Sequence, residues 1–435
     1  MATTHAQSRT VFAVPIAVGF FFMAMMLPTA VSLNLGGLRL SAYRIVLIVM
    51  IVPMMVQLLS GQRGRINLFD MLLFAHCSWA LLALIKWAGL AQGIETGGIY
   101  IVECAGAYLL GRIYIRSSDD FTAMSRAYVS IVLATLVFTV PEALTGIHIL
   151  HDGISSAVGG PRAPFIEPRM GLERTFGPFD HPILYGVFCA SSFSLACFVL
   201  AQRQLMKFGN LTKIAGVVLA TFMSASGGPY LVLMMQGFVA SWERVLGKIQ
   251  GRWAALFSLF AAAYVAIDLF STRTPFHVFV TYFTFSKQSA YNRILIFEYG
   301  TAEVARHPIF GIGLGEWERP PWMSDSMDNF WLATAVRYGL PALLFLLALL
   351  FGLVWSVGQR KNLPPDWKRA RHAWAFTLFG ITVAAATVHL WNALFVLFFF
   401  LLGSGAWLLD AKPEQKRRVQ GGLKPGPALR PARLF

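Results

Sequence analysis

The chain alternates long apolar runs with shorter polar gaps. A helix that crosses a hydrocarbon core of about 30 Å needs about 20 predominantly apolar residues. The runs predict twelve such spans. They lie near residues 11–33, 41–59, 68–90, 97–114, 121–142, 180–201, 212–226, 228–243, 253–271, 327–356, 373–388 and 390–409. The pattern therefore predicts an all-α, polytopic integral membrane protein, with a tight turn between the two spans at 212–243.

Lysine and arginine are concentrated in alternate gaps. The basic gaps hold Arg63, Arg65, Arg112, Arg116, Arg203, Lys207, Lys213, Arg244, Lys248, Arg252, a run from Arg360 to Arg371, and Lys412, Lys416, Arg417 and Arg418. Because these residues accumulate on the cytoplasmic side of membrane proteins, we expect both termini to be cytoplasmic. Residues 1–410 then form a transmembrane domain with outward-facing loops at 143–178 and 271–326, and residues 411–435 form a disordered basic cytoplasmic tail.

The two outward-facing loops nevertheless contain arginines. These are Arg162, Arg169, Arg174, Arg273, Arg293, Arg306 and Arg319. A guanidinium group matches the oxygens of a phosphate with two parallel hydrogen bonds, whereas lysine acts as a point charge. Arginines in outward-facing loops, where lysine and arginine are usually scarce, therefore suggest an anionic ligand at the outer face.

Composition agrees with a membrane protein and limits the classes of function. Hydrophobic residues make up 56% and charged residues 13% of the chain, whereas about 25% charged residues is usual for soluble domains. The net charge of +15 lies mostly in the cytoplasmic gaps and the tail, where topology and anionic headgroups explain it, so we do not expect nucleic-acid binding. The four cysteines lie within predicted spans without metal-ligand spacing. We expect neither a metal nor a cofactor.

The first outward-facing loop ends in polar residues just before the sixth span. Gly177 breaks any helix, and Asp180 is expected to cap the next helix, with Pro182 in its first turn. Arg174 precedes that cap by six residues and is either a phosphate ligand or a headgroup anchor. His181 either carries a proton or begins the helix and faces water.

The second outward-facing loop is the densest in polar residues. Apolar positions at helical spacing over 294–305 predict a helix that lies on the membrane surface, beginning just after Arg293. The His-Pro pair at 307–308 ends this helix, and a flexible Gly-x-Gly-x-Gly turn follows at 311–315. The turn is not a dinucleotide fingerprint, because it follows a helix and a proline instead of a strand.

Asp328 and Asn329 lie at the outer mouth of the tenth span. A carboxylate beside an amide can orient and deprotonate a sugar hydroxyl when a low-dielectric site raises its pKa. Alternatively, Asp325, Ser326 or Asp328 caps the helix. Arg337 lies nine residues beyond Asp328, which places it about 13 Å deeper. A charge at that depth usually faces a cavity or a partner.

Two further charged residues lie within predicted spans. Arg44 is near the outer end of the second span, so we expect it, like Arg337, to face a cavity or a partner. Glu103 lies in the fourth span and either belongs to the site or pairs with a basic neighbour.

Several motifs occur in a characteristic order between residues 170 and 345. They are R-x-F-G-x-F-x-H-P at 174–182, S-x-S at 224–226, an isolated Arg293, H-P-x-x-G-x-G at 307–313, and a polar pair followed by Gly-Leu-Pro over 328–341. Together they resemble the bacterial O-antigen ligase and O-antigen polymerase superfamily. The resemblance covers about 40% of the chain, and the hydropathy pattern is compatible over the rest.

The resemblance implies a glycosyltransferase of the C class in the bacterial inner membrane. Such enzymes act at the periplasmic face on glycans linked to undecaprenyl pyrophosphate, without a metal or a nucleotide. Arg174 would contact the donor pyrophosphate, and Asp328 would stand where the ligases usually carry a histidine. Gly227 stands where a second arginine often follows the S-x-S turn, which leaves Arg293 or Arg337 as the second phosphate contact.

The expected catalytic residues are Asp328 and Arg174. The expected substrate-binding residues are Arg293, Arg337, Asn329, Arg44, His181, Tyr291 and His307. Besides the lipid-linked glycan and the membrane lipids, the resemblance implies a chain-length co-polymerase as a partner.

Three functions are compatible with these features. Polymerisation of lipid-linked repeat units into a surface polysaccharide or exopolysaccharide is favoured over ligation to lipid A core, because the histidine of the ligases is absent. A polysaccharide flippase or transporter is the alternative from another class. Transporter sites usually lie near the bilayer midplane between repeated halves, whereas the polar residues of this chain gather at one face.

Reporter fusions test the predicted topology. Alkaline phosphatase is active only outside the cytoplasm, so we expect activity for fusions after Gly160 and after Arg306. Green fluorescent protein should fluoresce when fused after Arg65, Gly251 or Lys361. Fluorescence from fusions within either loop at 143–178 or 271–326 would contradict the assignment of these loops to the outer face.

Overall fold

The computed structural model describes residues 14–35, 38–160, 162–202, 204–283 and 287–410 of the 435-residue chain. The beginning of the first predicted span, Arg203 and the predicted tail at 411–435 lie outside the described residues. The described chain is mostly helical. The helices are α1 (Ile16–Met25), α2 (Ala42–Leu59), α3 (Leu68–Ile101), α4 (Ala107–Tyr114), α5 (Ser118–Thr145), α6 (Ile149–Ala157), α7 (Pro182–Ser191), α8 (Phe208–Met223), α9 (Gly227–Leu246), α10 (Arg252–Phe270), α11 (Pro275–Phe283), α12 (Lys287–Arg306), α13 (Phe330–Gly358), α14 (Pro365–Ala384) and α15 (Ala393–Ser404). Turns of π-helix at Val102–Gly106 and Leu195–Leu200 follow α3 and α7, and a 3₁₀ turn at Ala406–Leu409 follows α15.

Six of the described helical stretches are long and apolar enough to cross a membrane, which indicates a multi-pass membrane protein. They are Ala42–Leu59, Leu68–Tyr114, Ser118–Thr145, Pro182–Leu200, Arg252–Phe270 and Phe330–Gly358. Three further apolar helices are shorter, namely Ile16–Met25, Phe208–Met223 and Ala393–Leu409. Each of the twelve predicted spans contains helix, and the two predicted at 68–90 and 97–114 are continuous in the stretch Leu68–Tyr114.

The stretch Leu68–Tyr114 is a helical hairpin with two arms. Gly89 adopts φ 78° and ψ 172°, outside the helical region, and reverses the chain there. A side chain at Gly93 would overlap the backbone of the first arm. Farther from the reversal, Nε2 of His76 lies 2.8 Å from the hydroxyl of Tyr100. The two predicted spans are therefore the two arms, and helix replaces the loop expected between them.

The first predicted span is wrong at its C-terminal end, and the described chain is not entirely α-helical. After α1 ends, the chain forms an antiparallel hairpin of β1 (Ser32–Leu35) and β2 (Leu38–Ser41). Nη2 of Arg39 donates to the carbonyl oxygen of Thr29 at 3.0 Å. This bond ties the β-hairpin to the segment after α1, and α2 begins directly after β2.

Helix α15 lies at the centre of the bundle, and α10 lies at its periphery. All 12 residues of α15 are buried. A side chain at Gly403 would overlap the carbonyl oxygen of Tyr108 in α4, and the ring of Phe400 packs at a tilt against that of Phe21 in α1, with 5.3 Å between ring centroids. In α10 only Leu256 is buried. An apolar helix that the rest of the protein does not bury is expected to face lipid.

Contacts at the two ends of the bundle bring together segments that the sequence places in the same kind of gap. At one end, Nη2 of Arg112 donates to the carbonyl oxygen of Arg65, which brings two basic gaps together. At the other end, the backbone N–H of Phe330 donates to the carbonyl oxygen of Ala385 at 2.8 Å. The start of α13 and the end of α14 thus meet on the side of the two arginine-containing loops.

Helix α13 is broken at Gly339, which adopts φ 86° and ψ 169°. The break leaves the carbonyl oxygens of Val336 and Arg337 without helical partners. Ile312 N donates to the first at 2.8 Å, and Gly313 N donates to the second at 2.9 Å. The glycine turn predicted to be flexible is therefore bound to the broken helix. Such bonding is needed because a hydrocarbon environment offers no water to irregular backbone.

Gly339→Ala tests this arrangement. An added Cβ would overlap the carbonyl oxygen of Ile309, and the positive φ is itself unfavourable for alanine. We expect the free energy of unfolding to fall by about 1–3 kcal/mol. The measurement is thermal unfolding of the purified protein in detergent. The control is Gly358→Ala at the end of the same helix, where an added Cβ meets no atom within 4 Å. Equal unfolding temperatures for both variants would contradict the proposed role of Gly339.

Candidate functional site

A buried carboxylate at the end of α5 fixes the loop that carries Arg174. Glu142 is fully buried, and its Oε1 accepts hydrogen bonds from Phe176 N at 2.8 Å and from Gly177 N at 3.3 Å. The same oxygen lies 2.8 Å from Nδ1 of His148. Hydrogen bonds to an ionised acceptor are about twice as strong as neutral ones. Glu142 therefore holds an otherwise irregular segment in one conformation.

Arg174 is buried, with a guanidinium group that the described residues satisfy only in part. Its Nη2 donates to Ser226 Oγ at 2.7 Å, whereas its Nε is buried and has no hydrogen-bond acceptor among the described residues. Burial, and then the charge of Arg169, lower the pKa of Arg174 to about 10. The side chain is therefore still cationic at neutral pH. A buried charge of this kind is costly unless an anion pairs with it.

The predicted tight turn at 224–226 is confirmed, and it presents Ser226 to Arg174. α8 ends just before the turn, and α9 begins just after it at Gly227. Ala225 adopts φ 43°, which is uncommon for a residue other than glycine, and Oγ of Ser224 donates to the carbonyl oxygen of Thr221 at 2.7 Å. The turn is thus a strained but internally bonded connection.

Arg293 of α12 reaches the same region from the second loop. Its Nε donates to the carbonyl oxygen of Thr387 at 2.9 Å. Burial lowers the pKa of Arg293, the Asp328 carboxylate opposes that effect, and Arg169 adds to it. Arg169 acts electrostatically on both Arg174 and Arg293, so it lies within reach of each of them. We call Arg169, Arg174 and Arg293 the basic cluster.

The predicted pair Asp328 and Asn329 divides into two roles. Asn329 caps α13, because its side-chain oxygen accepts a 3.0 Å hydrogen bond from the backbone of the first turn. The alternative in which Asp325, Ser326 or Asp328 caps this helix is therefore wrong. Oδ1 of Asp328 accepts from Oγ of Ser326 at 3.0 Å, and its carboxylate faces Arg293. Asp328 thus lies at the edge of the basic cluster.

His181 caps α7, and the prediction that Asp180 does so is wrong. Nδ1 of His181 accepts from Ile183 N at 3.1 Å, so the proton of the neutral ring is on Nε2. Burial, and then Arg174 and Arg169, lower the pKa of His181 to about 4. A neutral imidazole with an N–H donor therefore borders the basic cluster.

Asp180 connects three separate segments instead of capping a helix. Its Oδ1 accepts from Oγ1 of Thr29 at 2.6 Å, and its Oδ2 accepts from Nδ2 of Asn392 at 3.1 Å. The segment after α1, the start of α7 and the start of α15 are thereby held at one end of the bundle.

A polar cavity of about 370 Å³ lies beside the basic cluster. It is enclosed by α2, the second arm of the helical hairpin, α13 and the loop between α14 and α15. Its charged or titratable lining residues include Arg44, Glu95, Glu103, Arg337 and His389, and its aromatic ones include Tyr100, Tyr338 and Trp391. The ring of His181 lies 5.8 Å from the ring of Trp391. His181, on which Arg174 and Arg169 act electrostatically, therefore connects the cavity wall with the basic cluster.

Arg44 and Arg337 both line the polar cavity, as predicted for arginines within spans. Nε of Arg44 lies 2.8 Å from Oε1 of Glu103, so this carboxylate does pair with a basic neighbour. Tyr43 donates to the same oxygen at 3.4 Å. Glu103 lies in the π-helical turn Val102–Gly106, and such widened turns occur frequently at functional sites.

His389 is a site residue that the sequence analysis missed. It lines the polar cavity, and its Nδ1 is buried without a hydrogen-bond partner among the described residues. Burial, and then Arg337, lower the pKa of His389 to about 4. Its ring stacks on Trp391 at 6.0 Å between centroids. Its position in the sequence could have indicated it, because His389 is the single residue between the predicted spans 373–388 and 390–409.

Two predicted substrate-binding residues lie outside both the basic cluster and the lining of the polar cavity. Tyr291 is 52% exposed on α12. His307 lies with Nε2 3.6 Å from Oε1 of Glu303 and with its ring 5.7 Å from that of Trp87. His307 therefore belongs to the contact between the second loop and the turn of the helical hairpin. Among the outer arginines, Arg306 pairs with Glu303 in the same contact.

The arrangement suits a substrate that combines a phosphate group with sugars. Guanidinium groups recognise phosphate oxygens, and the aromatic and polar lining of the cavity suits a polyhydroxylated ring. Asp328 and His389 are groups that can accept a proton. Within the part of the chain that the structure describes, no group of three or more His, Cys, Asp or Glu residues is arranged to hold a metal ion.

Comparison with known proteins adds no relative: the sequence matches no protein-family model, and no similar sequence is found among curated proteins.

Arg174→Ala tests whether the basic cluster binds phosphate groups. We expect the affinity for inorganic diphosphate to fall by about tenfold to a hundredfold, since a hydrogen bond to a charged group contributes about 1.5–3 kcal/mol. The measurement is calorimetric titration of the purified protein in detergent. The control is Arg162→Ala, which removes an exposed arginine from the same loop. Equal losses in both variants would indicate unspecific attraction to surface charge.

Proposed function

We propose that this protein is an inner-membrane glycosyltransferase that polymerises oligosaccharide repeat units carried on undecaprenyl pyrophosphate, at the periplasmic face. The product is a surface polysaccharide or exopolysaccharide. The observation that carries the proposal is that Arg174 and Arg293, from two separate loops, both lie within electrostatic reach of Arg169, and that His181 connects this cluster with the polar cavity. The motif resemblance supports the same substrate class.

The proposed topology has twelve spans and cytoplasmic termini, as in glycosyltransferases of the C class. In this arrangement the shorter apolar helices also cross the bilayer, and the helical hairpin contributes two spans. The basic cluster and the polar cavity then lie on the periplasmic side. Partners are the lipid-linked glycan, the membrane lipids and a chain-length co-polymerase.

In the proposed reaction, an acceptor hydroxyl attacks the anomeric carbon of the donor glycan. A new glycosidic C–O bond forms as the bond between that carbon and the diphosphate oxygen breaks. The electron pair of the broken bond stays on the diphosphate, where Arg174 and Arg293 stabilise it. The acceptor proton passes to a base. Holding both lipid-linked substrates at one site lowers the entropic part of the barrier.

Asp328 is the proposed base. Its carboxylate lies beside Arg293, so a donor diphosphate bound by that arginine places the reacting carbon nearby. His389 is the other proton acceptor at the cavity, and its neutral ring can hydrogen-bond a sugar hydroxyl. If activity depended on His389 but not on Asp328, the base would be in the cavity.

One observation favours transport as a second candidate function. Helix α13 is broken at Gly339, close to Arg337 and Tyr338 in the cavity wall, and broken helices are common at transporter binding sites. Membrane vesicles distinguish the two functions. An enzyme forms polymer from a lipid-linked donor, whereas a transporter moves the intact lipid-linked glycan without lengthening it.

Complementation of a deletion strain tests the proposed catalytic residues. We expect Arg174→Ala and Asp328→Ala each to lower polymer output by about a hundredfold or more, in keeping with the usual contribution of a positioned base or charge. Polymer is measured by gel electrophoresis, with protein amount checked by immunoblot. The matched control is Asp325→Ala, three residues from Asp328 in the same loop.

Undiminished polymer from both variants would show that the proposed site is wrong. Lipid analysis of the deletion strain separates a polymerase from a ligase. Loss of a polymerase leaves single repeat units on the carrier or the surface, whereas loss of a ligase leaves long chains on undecaprenyl pyrophosphate.

A further inference from the structure

An apolar groove of about 260 Å³ adjoins the polar cavity. Side chains from β2, α2 and the second arm of the helical hairpin form it, including Leu40, Ile48, Ile94 and Val102. The groove and the cavity share Leu38, Arg44, Glu95 and Ile99 as lining residues, so the two spaces are continuous. A continuous space that is apolar at one end and polar at the other is complementary to an amphiphile.

The groove is accessible from the lipid. Ile48 is 40% exposed and Ile94 is 53% exposed, and both belong to helical stretches apolar enough to cross a membrane. At Gly98, which lines the groove, an added Cβ would meet no atom within 4 Å. A hydrocarbon chain can therefore enter sideways from the bilayer.

Arg44 lies where the groove meets the cavity. Its Nε donates to Glu103 and its Nη1 donates to the carbonyl oxygen of Arg39, while Nη2 has no acceptor among the described residues. Arg337 lines the cavity behind it. The opposing charges are Glu103, which Arg44 already neutralises, and Glu95, which is exposed. The formal charges at the junction balance, but Arg337 makes no ion pair among the described residues, and Nη2 of Arg44 remains able to donate to a phosphate oxygen.

The order of these features along the site assigns the groove to a second lipid. It runs from the apolar groove to Arg44 and Arg337, then through the polar cavity to Trp391 and His181, and ends at the basic cluster. A lipid-linked glycan has its chain, diphosphate and sugar in that sequence. A donor whose diphosphate lies at the basic cluster therefore points its sugar, and not its chain, toward the cavity.

We propose that the apolar groove holds the isoprenoid chain of the acceptor, a second polyprenyl diphosphate-linked saccharide. Its diphosphate lies at Arg44 and Arg337, and its sugar lies in the polar cavity. The donor sugar approaches the same cavity from the basic cluster. This inference rests on the proposed function and explains why arginines lie at two separate places in the site, because in a polymerase both substrates are lipid diphosphates.

Native mass spectrometry with undecaprenyl diphosphate, which carries no glycan, tests the inference on the full-length protein. We expect two bound lipids for the unaltered protein. Gly98→Leu fills the groove, so the affinity for one of the two lipids should fall by about tenfold or more as chain burial is lost. The matched control is Gly237→Leu in α9, where an added Cβ likewise meets no atom within 4 Å. This control should still bind two lipids.

Ile94→Trp is a second variant, which narrows the mouth of the groove without altering a glycine. Unchanged binding of both lipids by Gly98→Leu and Ile94→Trp would overturn the inference, even if the protein makes polymer. A different pair of results would separate the two proposals. If these variants lost one lipid but the unaltered protein formed no polymer from lipid-linked oligosaccharide, the groove would still be a lipid-binding site and the proposed function would be wrong.

Discussion

The lack of water in a membrane interior is the constraint on which this structure depends. Backbone groups that leave a helix there must be satisfied by the protein itself. The break at Gly339 meets that requirement with bonds from the backbone of Ile312 and Gly313. The turn at 224–226 and the loop held by Glu142 lie at the outer end of the bundle, where they are buried and likewise satisfied by specific partners. These irregular segments carry or adjoin Arg337, Arg174 and Ser226. The hydrogen bonds that satisfy their backbone therefore also fix the positions of candidate site residues.

The cost of burying positive charge is concentrated at the same end of the bundle. Arg174 and Arg293 are desolvated, and their pKa values are lowered by burial and by neighbouring Arg169. Such a cluster is unfavourable in the empty protein and becomes favourable when an anion enters. The apolar groove and polar cavity supply the complementary surfaces for the rest of an amphiphile. Charge, shape and access from the bilayer therefore favour one class of ligand.

Individual residues show where sequence patterns succeed and where they fail. Arg44 and Arg337 were predicted to face a cavity, because a charge within an apolar span must avoid lipid, and both line it. His307 was expected at the site on a motif match, yet it pairs with Glu303. His389 was overlooked, because a lone histidine between two spans has no local pattern that distinguishes it. Its role follows from the cavity that it lines with Arg44 and Arg337, which lie close to it only in the folded chain.

By itself the sequence determined the membrane-spanning helices, their alternating basic gaps and the arginines of the outer loops, because hydropathy and charge act over a few neighbouring residues. Tertiary structure decided which of these residues meet. It selected His181 and Asn329 as helix caps over nearby aspartates, reversed the chain at Gly89, and brought Arg169 within electrostatic reach of Arg293. Such choices depend on contacts between residues far apart in the chain, and local spacing does not encode them.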